Sequence, residues 1–293
     1  MLIVCNQIEK KISNEFKIGP LSLTIEPGTV NVLVGTNGSG KSSLIRTIAG
    51  LIQPDKGMID RFNLLEEEWR EHLAFVPQSS KGFEKYTLQH LASIHAVGFR
   101  GWDNERFSKL VKRYNLPLNK TVGEMSGGMQ RRVLVVLALA RNSTVLIMDE
   151  PLAGVDMAAQ ELMQEDWLAY LEGDPKRAIL FATHVADEIK DYADYIFLMK
   201  RGSIVARYEK DTLFRNYARF WTNEQLEVVR NLTGITYVIQ RGPQVEIISD
   251  NRSQTESDMN RLGLEITMKQ SLKVAEILRI LLKEGEEVND TYY

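Results

Sequence analysis

Apolar positions along this chain change their spacing several times, and each change predicts an element. TVNVLV at 29–34 is a continuous run, as in a strand covered on both faces, and LIRTIAGL at 44–51 reads as a helix after nine residues rich in glycine and serine. VLIMDE at 145–150 is a second apolar run, ending in two carboxylates as a buried parallel strand does when it delivers them to its C-terminal edge; AILFAT at 178–183 is a third. Between 81 and 119 the β-rich pattern gives way to helical periods. Asp103 fits an N-cap, and Phe107, Leu110, Val111 and Tyr114 then fall at i, i+3, i+4 and i+7. Thr87 is placed to cap an earlier helix bearing Leu88 and Leu91, and MSGGMQRR at 125–132 opens an almost wholly apolar helix.

From 195 to 209 the segment YIFLMKRGSIVARYE reads as a hairpin. Further on, TLFRNYARFWTNEQLEVVRNL is predicted helical, and ITYVIQRGPQVEIIS forms two strands around an Arg-Gly-Pro turn. SLKVAEILRILLKEG closes with a helix capped by Ser271, in which Val274, Ile277, Leu278 and Leu281 share one face. The chain therefore divides into a domain over residues 1–208, with a helical subdomain at about 79–140, and a small α+β appendage over 209–293.

The 36 basic and 39 acidic residues leave a net charge of −3, which supplies no global field toward nucleic acid or anionic lipid, and no nucleic-acid partner is expected. Cys5 is the only cysteine, so no intramolecular disulfide forms and a reducing compartment is expected, with Cys5 itself a buried thiol near the first strand. The longest apolar stretch, VLVVLALA at 133–140, is far short of the roughly 20 residues of a membrane span. MLIVCNQIEKK lacks the basic start and small-residue cleavage site of a signal peptide, so a cytosolic location is expected.

The chemistry lies at the junctions. Gly35, Thr36, Asn37, Gly38, Ser39, Gly40, Lys41 and Ser42 satisfy the G-x-x-x-x-G-K-[ST] phosphate-binding pattern, with Ser43 next in line. Glycines let the backbone curl its N–H groups around phosphate oxygens, and a helix opening at about Lys41 adds the positive end of its dipole. Lys41 would reach the terminal phosphates and Ser42 would ligate Mg²⁺. Asp149 would hold the Mg²⁺ shell, and Glu150 would polarise the attacking water as general base.

The ordered set GTNGSGKS, FVPQ, MSGGMQRR, VLIMDEPLAGVD and ATHVADE resembles the nucleotide-binding subunit of an ABC transporter across residues 1 to about 207. The resemblance implies a P-loop NTPase of α/β class, with an ABC-type antiparallel β subdomain, a helical subdomain and here the α+β appendage. It implies ATP and Mg²⁺ as cofactors and ATP hydrolysis as the activity. By the same resemblance Gln78 takes the position of a glutamine that touches Mg²⁺ and reports nucleotide state. Ser126, Gly127 and Gly128 take those of a signature motif offered to the γ-phosphate of the opposite subunit. Asp156 takes that of an aspartate crossing the dimer interface, and His184 that of a γ-phosphate-contacting switch. Phe16 is the nearby aromatic for adenine stacking, although strict alignment favours Ile12. Met125 and Met129 replace the usual Leu and Gln of the signature, and AGVD replaces the common Ser-Ala-Leu-Asp.

The resemblance also implies partners: a membrane-embedded permease contacted through the helical insert and Gln78, and a second ATPase subunit in a homodimer or heterodimer. The location would then be peripheral, on the cytoplasmic face of the membrane. Phe75, Phe83, Tyr86 and Trp102 lie around the insert, where a groove for a coupling helix is expected. The appendage resembles the tails of ATPase subunits of ABC-2-type exporters through its Ser-Leu opening of an amphipathic closing helix, without the acidic pair that often follows. Export is the direction this implies. Two alternatives stay open on sequence alone: a soluble ABC-type ATPase outside transport, and a nucleotide-sensing interaction module.

Overall fold

Two antiparallel sheets and one largely parallel sheet account for every strand in the computed structural model, which describes residues 1–283. β1 (Ile3–Lys11) and β2 (Lys17–Ile25) alternate buried and exposed side chains and pair antiparallel. β3 (Val30–Val34) is buried at every position and runs into the glycine-rich loop and α1 (Lys41–Ile48). β4 (Lys56–Arg61) returns to the other edge of β1 and completes a three-stranded antiparallel subdomain. Cys5 lies buried in β1, and burial pushes its thiol up to about 12, which leaves it protonated and inert.

After α2 (Glu66–Trp69) the chain forms β5 (Leu73–Val76) and then the helical insert, α3 (Leu88–Gly98) and α4 (Asn104–Arg113). The predicted caps are in place: Thr87 accepts the N–H of His90, and Asp103 that of Arg106. Phe107, Leu110, Val111 and Tyr114 are buried, the tyrosine donating to Asp166 at 2.6 Å. α5 (Gly127–Leu139) buries Val133 to Leu139 without a break, and β6 (Val145–Asp149), α6 (Met157–Glu172) and β7 (Ala178–Ala182) follow. Next come α7 (Ala186–Tyr192) and the hairpin β8 (Tyr195–Lys200) and β9 (Ser203–Glu209), turning through Arg201 and Gly202, both at positive φ.

The large sheet has the strand order β5-β6-β7-β3-β8-β9, and the pairs β5/β6, β6/β7 and β7/β3 are parallel. Parallel strands covered on both faces are apolar throughout, which is why these runs lack the alternation of β1 and β2. The same arrangement points the C-terminal ends of β3, β5, β6 and β7 to one edge, where α/β sheets bind ligands.

The remainder is α8 (Lys210–Asn216), β10 (Ala218–Thr222), α9 (Leu226–Val229), β11 (Ile235–Arg241), β12 (Gln244–Ser249), α10 (Arg252–Arg261), β13 (Met268–Ser271) and α11 (Val274–Lys283). From β10 onward this is a β-α-β-β-α-β unit with strand order β11-β12-β10-β13, all neighbours antiparallel, the split βαβ pattern of ferredoxin-like folds. The compact units do not follow a single cut along the chain. One comprises Met1–His184 and Phe197–Ala206; the other comprises Val185–Ile196 and the chain from Arg207, so that α7 joins it and packs on α11.

Two expectations for the appendage are corrected. The segment predicted as one helix holds a strand, because ARFWT alternates: Ala218, Phe220 and Thr222 are fully buried while Arg219 and Trp221 turn to the other face. Ser271 ends β13 opposite Ala218 instead of capping α11, whose first turn is closed by Glu276 accepting the N–H of Lys273 at 2.9 Å. Residues 284 and 285 of the predicted closing segment lie outside the described residues.

Phe220 sits at the centre of the second unit's core with Val229, Val245, Ile247 and Met259. Phe220→Ala should cost about 3–5 kcal/mol, in the range of buried aromatic truncations. Urea unfolding reads this directly, and a loss below about 1 kcal/mol would place the core elsewhere.

Candidate functional site

Four strand ends supply the site. β3 leads into the glycine loop, which turns at Gly38 and Gly40, with φ of +80° and +104°. At Gly40 a side chain is excluded twice, by that φ and by Ile18, whose Cγ2 would lie 2.7 Å from an added Cβ. Lys41, the first residue of α1, is nearly fully buried, and its ammonium donates to the carbonyls of Gly35 at 2.9 Å and Thr36 at 3.2 Å. Burial lowers its pKa, and Glu150 and Asp149 pull in the opposite direction. Ser39 Oγ is buried in the loop with no partner among the described residues, a spare donor for an anion.

β6 delivers Asp149 at its last position and Glu150 just beyond. Asp149 is fully buried, accepts from Ser42 Oγ at 3.0 Å through Oδ1, and has no partner at Oδ2. Burial holds its carboxyl above the usual range, against the pull of Ser42 and Arg46. Glu150 adopts φ +49°, a left-handed conformation that a non-glycine residue takes at a cost, while its N–H remains tied to the Ala182 carbonyl at 3.0 Å. That turn aims its carboxylate at two neighbours. Gln78, past the end of β5, donates Nε2 to Oε2 at 3.0 Å; His184, past the end of β7, brings Nδ1 to 3.5 Å from Oε1.

One pocket collects Asn37, Gly38, Gly40, Lys41, Ser42, Ser43, Gln78 and Glu150, with Ile12 and half-buried Phe16 at its side. Both candidates for base stacking therefore line it. Asp149 lies beneath it through Ser42. A divalent cation fits this donor set: a hydroxyl, and a buried carboxylate oxygen that the protein leaves unpartnered.

Ser126, Gly127, Gly128 and Asp156 do not line that pocket. Ser126 caps α5 by accepting the N–H of Met129 at 3.4 Å, and both it and Gly127 are exposed. Gly128 faces the Gly154 carbonyl, 3.2 Å from where a Cβ would stand. Asp156 is exposed and caps α6 through the N–H of Ala159 at 3.0 Å. These groups lie apart from the residues that line the loop pocket.

Two residues outside the expected set link the helix of Ser126 to the segment of Gln78. Arg131 donates Nη1 to the Pro77 carbonyl at 3.0 Å, one residue before Gln78; its pKa is lowered by burial and supported by Asp149 and Glu150. Gln130 donates to the Met125 carbonyl at 2.9 Å and accepts from Ser80 Oγ at 2.6 Å. The only sequence signal was a polar QRR triplet opening a helix that is otherwise apolar.

Comparison with known proteins identifies relatives of this chain. A family model described as ABC transporter matches residues 18–153. The putative 2-aminoethylphosphonate import ATP-binding protein PhnT of Salmonella choleraesuis (strain SC-B67) is 32% identical over 263 residues, covering 84% of this chain and 69% of its own length. The manganese transport system ATP-binding protein MntA of Synechocystis is 31% identical over 219 residues, covering 70% and 80%. The structure of a dimeric, post-hydrolysis ATP-binding cassette bound to ADP and Pi has a TM-score of 0.62 at 23% identity, covering 71% of this chain and 99% of that one, a likeness of fold.

The raised pKa of Asp149 fixes a sign. Between the unfolded value and the raised native one, the folded protein holds a proton that the unfolded chain has lost, so stability falls as pH rises through that window and stays lowered above it. Nucleotide-free Asp149→Asn should therefore melt higher than the parent at pH 7, with the gap closing as pH falls through the carboxylate range. Equal melting temperatures at neutral pH would contradict a desolvated charge at this position.

Proposed function

The chain belongs to the ABC transporter family of ATP-binding proteins, and from that footing we propose that residues 1–208 hydrolyse MgATP at the loop pocket to drive a separate membrane permease. The observation that carries the reading is the convergence of Lys41, Ser42, Gln78, Glu150 and His184 from four strand ends. Hydrolysis of ATP is the activity of the family.

Loop N–H groups from Gly38 to Ser42 receive the phosphates, and Lys41 exchanges its two carbonyl partners for phosphate oxygens, which also relieves the cost of its burial. Mg²⁺, when bound, neutralises charge on the terminal phosphates, and Ser42, Asp149 and Gln78 are the residues that would hold it. Glu150 accepts the proton of the attacking water. Its carboxylate is kept in one orientation by Gln78 and His184, so little reorganisation is left for the reaction. Phe16 gives the base a flat apolar contact at the side of the pocket.

Ser126, Gly127 and Asp156 lie exposed, with half-buried Gly128 beside them, and none lines the loop pocket of its own chain, which supports a role toward the nucleotide of a second copy or of a related subunit. A dimer would then hold two nucleotides between opposed surfaces, closing on ATP and reopening after hydrolysis. Among the described residues no helix is long and apolar enough to cross a membrane; in this proposal a permease spans the membrane and the ATPase sits at its cytoplasmic face. The export direction implied by the tail gains no support from the relatives, since PhnT is named for import, and the proposal is confined to transport without a direction.

Glu150→Gln should bind ATP at parental affinity yet hydrolyse at least about 100-fold more slowly, and should run as a dimer in size-exclusion chromatography with ATP. Parental turnover in that variant would remove Glu150 from the role of base. Lys41→Ala should lose most nucleotide affinity. For the transport reading, purification with native membrane neighbours in mild detergent should bring down a polytopic membrane protein; a soluble partner alone would favour an ATPase outside transport.

A further inference from the structure

The four-stranded sheet of the second unit has two faces of opposite character. One is a plain apolar core built on Ala218, Phe220, Val245 and Ile247. Cross-strand register places Arg219, Ile248 and Tyr237 side by side on the other face, with Glu246 opposite Ile239 in the next row. α11 lies over this second face, and between helix and strands is a cavity of about 200 Å³. Its apolar wall is Tyr237, Ile239, Ile248 and Ile280. Its charged groups are the basic Arg219, Arg241, Arg279 and Lys283 and the acidic Glu246 and Glu276.

Both carboxylates are fully engaged. Glu246, buried, meets Arg219 Nε at 2.7 Å and Arg241 Nε at 3.2 Å; Glu276 meets Arg219 Nη2 at 2.7 Å and takes the N–H of Lys273 at 2.9 Å. Donors are left over. Arg219 Nε is buried and makes no hydrogen bond despite its 2.7 Å approach to Glu246, and Arg279, exposed at the mouth, has no hydrogen-bond or ion-pair partner among the described residues. The Arg219–Glu246 pair has given up most of its water, an arrangement seldom the most stable filling, and the opposite face shows the same sheet packed with hydrocarbon. An apolar pocket carrying a few convergent polar groups is the general form of a small-molecule site.

We propose that this cavity binds a small amphiphilic carboxylate, its apolar body against Tyr237, Ile239, Ile248 and Ile280 and its head group on the guanidinium donors of Arg279 and Arg219. Guanidinium planes match a carboxylate in two-point fashion. Glu246 and Glu276 in the wall select a monoanion over a dianion, which rules against phosphate esters as the better ligand. At about 200 Å³ the space is smaller than the ~300–1,000 Å³ of sites for drug-sized molecules, so the body is short. Such a ligand would bridge α11 to the sheet, since Arg279 and Ile280 come from the helix and the remaining contacts from β10, β11 and β12.

The test is calorimetric titration of the full chain with hexanoate, using hexan-1-ol and propyl phosphate as the neutral and dianionic comparisons. Hexanoate should saturate one site per chain and bind at least about tenfold more tightly than either comparison, a gap of about 1.4 kcal/mol. Arg279→Gln should weaken hexanoate about tenfold or more, and Ile239→Trp, which fills the cavity, should abolish its binding; both should retain the parental ATPase rate, which shows that they fold. No saturation by about 10 mM would overturn the proposal. So would parental affinity in Arg279→Gln, or propyl phosphate binding as tightly as hexanoate.

Discussion

Everything in the first unit depends on holding Lys41, Asp149 and Glu150 together at the end of a parallel sheet, where water is scarce. Asp149 is fully buried and Lys41 nearly so, and burial shifts each toward its neutral form while the opposite charges nearby oppose that shift. Such an arrangement is costly in the absence of a ligand and becomes favourable when a polyanion and its cation supply the missing charges. The unpartnered Oδ2 of Asp149 and the carbonyl-bound ammonium of Lys41 are the two sides of that deficit. The fold answers it with hydrophobic mass: β3, β6 and β7 are buried at every position, and this apolar slab fixes the ends from which the charges project.

Backbone strain at Glu150 follows from the same constraint. A residue continuing β6 in extended form would send its carboxylate to the next face of the sheet; the left-handed turn instead directs it to Gln78 and His184. The hydrogen bond from its N–H to Ala182 keeps the turn attached to β7, so the three strand ends move as a set. Arg131 extends this set to the helix that carries Ser126, through the Pro77 carbonyl beside Gln78. Within one chain, the segment that carries Gln78 and the helix that starts at Ser126 are thus joined through the half-buried guanidinium of Arg131.

The sequence disclosed the parts whose chemistry admits few residue types. A phosphate loop needs glycine at positive φ and a lysine at the helix start, and a carboxylate pair at a strand end follows from an apolar run, so Gly40, Lys41, Asp149 and Glu150 could be placed before any fold was known. The caps Thr87 and Asp103 were readable for the same reason. Where a residue's role depends on a partner distant in sequence, the pattern was silent. Arg131 and Gln130 act through Pro77 and Ser80, about fifty positions away, and looked like the polar edge of a helix. ARFWT was absorbed into a predicted helix because five alternating residues between two helical stretches carry too few periods to outweigh their surroundings, whereas pairing with β12 and β13 decides the matter in the fold. Ser271 failed as a cap for a related reason: its backbone is claimed by β10.

The two units treat buried charge by one rule and arrive at different degrees of completion. Around Asp149 the protein leaves an acceptor without a donor, and the family's chemistry explains what fills it. Over the second face of the smaller sheet it leaves a donor without an acceptor, the buried Arg219 Nε, although Arg219, Arg241, Glu246 and Glu276 are drawn together as ion pairs. A network serving only to hold α11 in place would need no excess of charge, and Ile277, Leu278 and Leu281 already bury that helix. Folding alone therefore accounts for the ion pairs of this cavity and leaves the buried Arg219 Nε without a hydrogen bond beside the exposed Arg279, and that unmet donor, not the ion pairs, is the feature that points to a ligand.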